Sequence, residues 1–368
     1  MIDRSRMTIK TEYIFFLLIG LILVSSCTTS VEKATDENKS DRVIKPVVIT
    51  DTTMTDTDDP AIWIHPNDKD SSLIIGTDKD NENGGLYVFD LEGKIDTART
   101  VLGLKRPNNV DVAYGFTFNN HKIDIAVATE RNAHRIRVFS LPNMTAIDNG
   151  GIEVFEGKED REPMGIALYH RSSDNSMFAI VSRKKGPQEN YLEQYLLFDN
   201  GSGIVEGELV REFGSYSGKR EIESVAVDHE LGFIYYSDEK AGVRKYYADP
   251  ENGNDELAFF GQTDFERDQE GITIYEVSPT TGYILVSDQQ ANRFNVYPRE
   301  GTSEDPHSHQ RILSLPLTTV FSDGSAVTNV SLPGFSHGMF VAMSDDKTFH
   351  YYDWQEIAEA YDLKMREY

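Results

Sequence analysis

The chain has 368 residues, 61 of them acidic against 36 basic, for a formal net charge of −25. That balance argues against a nucleic-acid partner, since a polyanion would be repelled on approach. A phosphorylated ligand would meet the same repulsion unless bound cations inverted the local field.

Along the chain, Arg4, Arg6 and Lys10 precede an apolar run from Tyr13 to Val24. The run falls short of the ~20 residues that cross a bilayer and suits the core of a signal peptide. It ends in Val24-Ser25-Ser26-Cys27, which resembles a bacterial lipobox with Cys27 as the lipidated residue. Residues 1–27 are therefore expected as a signal peptide with a lipobox cysteine, and the protein as an exported, membrane-anchored lipoprotein. Cys27 is the only cysteine, which excludes an internal disulfide,. Residues 28–42 are polar, lack aromatics and predict a flexible tether,. The folded body is expected over 43–368.

That body repeats itself. A short β-rich strand ends in Ser or Thr, then comes a charged turn, then a strand rich in Tyr and Phe. The markers are Thr77, Thr129, Ser182, Ser237, Ser287 and Ser344, spaced by roughly 50 residues,. Before each lies a largely apolar segment introduced by an acid or amide: DPAIWIH, NNVDVAY, EPMGIALYH, EIESVAVD, QEGITIY and DGSAVTNV. Such continuous apolar runs suit strands buried on both faces. Six such units without a long helical pattern predict an all-β, six-bladed β-propeller. The segment VIKPVVIT (43–50) is a candidate outer strand closing the ring, and 353–363 reads as a terminal helical cap.

In a propeller the first strand of each blade lines the channel, so its leading residues gather at one rim. The acids there are Asp58, Asp59, Asp111, Glu162, Glu223, Asp268, Glu270 and Asp323. Turns after the second strands add Lys79, Glu130, Arg131, Arg183, Lys184, Asp238, Glu239, Asp288 and Asp345. Strand direction decides whether the two sets meet. Clustered carboxylates need counter-cations, and an oxygen-only donor set suits Ca²⁺ rather than zinc. His307 and His309 fall in a proline-containing loop and read as a solvated turn. There is no P-loop, GxSxG elbow, cysteine nucleophile or RHG motif. Metal-activated water is then the remaining route to phosphate-ester cleavage.

Asp58-Asp59-Pro60-Ala61-Ile62-Trp63, with Asn108-Asn109-Val110-Asp111 in register, resembles the β-propeller phytases, alkaline calcium-dependent 3-phytases. The likeness runs through Gly165, Leu168-Tyr169-His170, Glu193-Gln194-Tyr195 and Glu270-Gly271. It implies calcium-dependent hydrolysis of phytate or another inositol phosphate by a monomeric enzyme that meets membrane only through its lipid. By position, Asp58, Glu223, Glu239, Asp268 and Glu270 resemble calcium ligands of the cleavage site, and Asp59 a ligand of a structural calcium. Asp323 is counted with the metal-binding acids. Lys79 and Arg131 match phosphate-gripping cations, and Arg183 with Lys184 a neighbouring phosphate pocket. The expected catalytic set is Lys79, Arg131, Glu223, Glu239 and Glu270. Ala113, Met164, Lys185 and Ala326 depart from the family pattern and place the chain in a divergent branch. A calcium-dependent lactonase would use the same acids but not Lys79, Arg131 and Lys184. A non-catalytic surface propeller, which the tether and acidic surface allow, would show no multi-metal cluster with a bound anion.

Overall fold

The computed structural model describes residues 42–368; the signal peptide, Cys27 and all but the last residue of the tether lie outside them. The described chain forms six antiparallel sheets arranged as the six blades of a propeller. The inner strands are Thr57–Trp63, Pro107–Phe118, Pro163–Arg171, Val225–Asp228, Gln269–Glu276 and Ser325–Thr328, here assigned to blades 1 to 6. Each leads outward through its blade in sequence order, except in blade 6. There the outermost strand is Val48–Ile49, with Val48 opposite Tyr351 and Ile49 opposite His350. The 43–50 segment thus closes the ring. The terminal helix runs over Trp354–Tyr361 and is capped by the Asp353 carboxylate, which accepts from Gln355 N.

Six apolar clusters fill the six seams between neighbouring blades. Second strands such as Leu73–Asp78 and Met339–Ser344 are buried throughout, because both of their faces meet a neighbouring sheet,. This explains why they read as apolar runs rather than alternating ones.

The Ser and Thr markers are the latches between blades. Thr77 Oγ1 donates to Asn108 O at 2.7 Å, and Thr129 Oγ1 to Met164 O at 2.7 Å. Ser182 Oγ donates to Ile222 O at 2.5 Å, Ser237 Oγ to Glu270 O at 2.7 Å, and Ser287 Oγ to Ser322 O at 2.7 Å. At the closing seam the polarity reverses, and Thr57 Oγ1 donates to Ser344 O at 3.1 Å. Each hydroxyl gives a buried carbonyl of the neighbouring blade a hydrogen bond across the seam.

The 301–312 loop departs from its reading as a solvated turn. His309 is buried, its Nδ1 2.8 Å from Pro298 O and its Nε2 3.2 Å from Lys245 Nζ. Lys245 in turn lies 3.9 Å from the Phe233 ring centroid. Aromatic neighbours on the adjacent blade drew this loop inward.

Candidate metal centre and phosphate-binding rim

Strand direction brings the two sets of candidates together. In the antiparallel ladders Thr57 pairs with Asp78, Pro107 with Glu130, Pro163 with Arg183 and Gln269 with Asp288. The start of an inner strand therefore shares a rim with the end of the second strand.

Two local features aim the side chains there. The first is a register slip in four inner strands, between Thr57 and Pro60, Pro107 and Val110, Pro163 and Ile166, and Gln269 and Ile272. Bulges of this kind re-aim side chains beside functional sites. Here one sends Asp58 to the mouth, where it meets Lys79. It sends Asp59 the other way, to accept from Val110 N at 3.2 Å. The second is alternation after each marker. In blades 2, 4 and 5 the residue directly after the marker braces the blade and the segment leading into it. Asp238 accepts from Ser217 N and Arg244 Nε, Asp288 from Glu266 N and Arg293 Nε, and Glu130 from Lys105 N and Arg135 Nε. The next residue along faces the rim: Lys79, Arg131, Lys184 and Glu239.

Arg183 has the bracing phase. It is 3 % exposed, its guanidinium carbon lies 4.9 Å from the Phe155 ring centroid, and its Nη1 donates to Asp160 O. The structure does not bring it to the rim with Lys184, whose Nζ lies 3.7 Å from Glu221 Oε2. Asp345 is exposed, and Asp111 is half-buried, accepting from Val112 N and Leu168 N.

The remaining acids converge. Lys79 Nζ lies 2.7 Å from Asp323 Oδ2 and 3.2 Å from Asp58 Oδ1, bridging the seam between blades 6 and 1. Asn108 Nδ2 donates to Asp58 Oδ2 at 2.8 Å, and Gln289 Nε2 donates to Asp323 Oδ1. Glu221, Glu223 and Glu239 form one group with carboxylate oxygens within 4.8 Å of one another, and Glu239, Asp268 and Glu270 form another. Glu239 belongs to both. Arg131 is buried with its Nε 3.8 Å from Glu162 Oε1.

Burial dominates the electrostatics. It pushes the Asp58 and Glu239 carboxyls up to about 7, and those of Glu223, Glu270 and Asp59 well above their ordinary range, with neighbouring acids adding to the rise,. Burial would lower the Lys79 ammonium. The surrounding carboxylates of Asp58, Asp323, Glu223 and Asp56 outweigh it and hold that cation well above the usual lysine range. Several acids thus share a space in which Lys79, Arg220 and Lys240 leave some carboxylate oxygens unpartnered. Glu239 Oε1, Asp268 Oδ1 and Glu270 Oε2 are buried oxygens without a hydrogen-bond partner. Unpartnered oxygens on converging carboxylates, with no thiol or imidazole among them, fit a hard divalent cation.

Glu221, Asn108 and Gln289 were not singled out from sequence. Glu221 was legible in principle, since it stands two residues before Glu223 in an extended segment and so shares its face. Asn108 was visible only as the first residue of the Asn108–Asp111 motif, and Gln289 carried no comparable signal.

Fold and rim together define a propeller whose channel mouth is a carboxylate-rich centre suited to hard cations, edged by lysine and arginine. A family model described as Phytase matches residues 11–364. A 3-phytase of Bacillus subtilis (strain 168) is 30% identical over 329 residues, spanning 82% of this chain and 80% of that protein. The chain belongs to the phytase family.

Proposed function

We propose that this protein is a calcium-dependent phytase, a phosphomonoesterase that hydrolyses phytate to lower inositol phosphates and phosphate. The observation that carries the reading is the pair of carboxylate groups sharing Glu239, with buried oxygens lacking hydrogen bonds, beside the cation of Lys79. The 3-phytase relative supports the substrate. Asp58, Glu223, Glu239, Asp268, Glu270 and Asp323 would hold calcium, joined by Glu221. When bound, calcium supplies charge neutralisation that admits a phosphate and acidity to the attacking water.

The chain's own side chains do the rest. Lys79 stays protonated and presents its ammonium to the phosphoryl oxygens. Arg131, at the equivalent position of the next blade, offers a planar donor from a buried stem. Lys184 stands one blade further round for a second phosphate. Half-buried Glu223, just before the inner strand of blade 4, and buried Glu270, on the inner strand of neighbouring blade 5, set the spacing of the centre. Asp59, turned down the channel, is placed for a structural role below it.

The test is phosphate release from phytate by the mature protein in calcium, with and without a chelator. Release that stops on chelation and returns with calcium is expected; release indifferent to chelation rejects the reading.

A further inference from the structure

Basic side chains are scarce in this chain, yet four of them bunch on one flank of the mouth. Arg220 Nε donates to Glu239 Oε2 at 3.0 Å, and Lys240 Nζ lies 3.6 Å from Asp268 Oδ1. Lys219 Nζ donates to Lys240 O at 2.9 Å, which sets a second ammonium on the turn that carries Lys240. Arg267 is exposed and has no hydrogen-bond or ion-pair partner among the described residues. It lines a hollow of about 310 Å³ together with Lys240, Gln262, Phe265, Glu266 and Gln269.

We propose that Arg220, Lys240 and Arg267, with Lys219 beside them, form a separate anion subsite between blades 4 and 5. It takes a non-scissile phosphate of a substrate that carries several phosphates around one ring. The inference rests on the phytate reading and deepens it, because only a multiply charged substrate can reach this flank and the centre together.

Three features support it. Two of the cations are not engaged by a local acid. Arg220 and Lys240 pair with Glu239 and Asp268, whereas Arg267 has no ion-pair partner among the described residues and Lys219 donates only to a carbonyl, so both are left to meet an anion from outside,. The side chains are also available. Those of Arg220 and Lys240 are 48 % and 44 % exposed, so their ion pairs are screened and easily exchanged for a phosphate dianion,. Finally, the walls are held in place. Gln269 is buried, donates to Asp238 O at 2.6 Å and accepts from Lys240 N at 3.0 Å, fastening the turn that carries Lys240 to blade 5. On the other wall Glu266 N donates to Asp288 Oδ1 and Asp268 N to Gln290 Oε1. Backbone held this firmly confines the ordering cost of binding to the side chains.

The experiment is calorimetric binding of inositol hexasulfate, a non-hydrolysable hexa-anion, and of inorganic phosphate. Both are titrated into the calcium-loaded protein and its K240Q/R267Q variant, alongside phytate turnover by the unaltered protein. Hexasulfate affinity should fall about tenfold or more in the variant and become less sensitive to salt. Inorganic phosphate, too small to span both places, should bind the two proteins equally. Equal hexasulfate affinity in an active enzyme would show that these cations are only counter-ions of Glu239 and Asp268, and would overturn the subsite alone. An equal loss for phosphate would assign them to the centre itself and also overturn it. An unaltered protein that neither binds hexasulfate nor turns over phytate would overturn the functional reading, and the subsite with it.

Discussion

Glu270 is 3 % exposed, carries an oxygen without a hydrogen bond and sits among Glu223, Glu239, Asp323 and Asp268. A carboxylate so placed opposes folding unless a cation joins it, so its removal should separate activity from stability. Glu270→Ala is expected to lower phosphate release by at least about 100-fold, more than loss of a residue behind a ligand would. Its melting temperature in chelator should stay level or rise; equal loss of both would make Glu270 a structural residue. The same electrostatics set a pH dependence. A carboxyl whose pKa is raised by folding stabilises the native state fully below its unfolded value and loses that contribution as pH climbs through the folded value. For Asp58 and Glu239 the window runs from ordinary values of 3.8 and 4.5 up to about 7. In chelator the protein should therefore melt at lower temperature as pH rises through that window. Calcium binds the ionised forms. Its gain in melting temperature should be several degrees larger near about pH 8 than near about pH 5. A gain that is flat or reversed with pH would remove these carboxyls from the metal centre.

Among the elements, the latch from each second strand to the next blade sets where the acids stand. Ser237 Oγ donates to the carbonyl of Glu270 itself, and Ser287 Oγ to that of Ser322, one residue before Asp323. Ser237→Ala would leave a buried carbonyl unpaired, costing about 1–3 kcal/mol in urea denaturation. It should also weaken calcium binding, because the Glu270 backbone loses its tether. A glycine plays a similar part across the seam of blades 3 and 4. A Cβ on Gly165 would stand 2.9 Å from the Glu223 carbonyl carbon, so Gly165→Ala should push that strand away and reduce activity. An alanine variant with unaltered calcium affinity would show that the strand tolerates the shift. The repeat of Ser and Thr markers was legible in sequence because every blade needs the latch. The six-fold count followed from it, while the closing strand and the terminal helix were read from the segments 43–50 and 353–363 themselves. The division of labour after each marker was not, since bracing Asp238 and Asp288 look like rim-facing Glu239 until the alternation is fixed by the ladder. Arg183 beside Lys184 shows the same ambiguity, resolved only when Phe155 and Tyr191 are found to cover it.

Across the whole molecule, the closing seam carries one side of the carboxylate rim. Lys79 and Asp58 belong to blade 1 and Asp323 leads into blade 6, so the bridge of Lys79 to both acids spans the place where the ring is sealed. The seal itself comes from the start of the described chain. Ile44 is buried against the blade 5 and blade 6 cluster. Val47 N donates to Tyr351 O at 2.8 Å and Thr50 N to Phe349 O at 3.0 Å, while Ile44 N donates to Pro316 O at 3.1 Å. Burying one isoleucine and making these hydrogen bonds contributes on the order of 5 kcal/mol. A chain beginning at Asp51 should therefore melt about 10 °C lower. Its calcium affinity should also fall, because blade 6 would carry Asp323 on a sheet lacking its outer strand. A propeller sealed elsewhere would lose stability on truncation without disturbing its centre; here the two losses should appear together. Calcium added in excess should recover part of the melting temperature, since ions held between Asp58 and Asp323 would draw the seam shut. A truncated chain with unaltered calcium affinity would show that blades 6 and 1 keep their alignment through the seam's apolar packing alone.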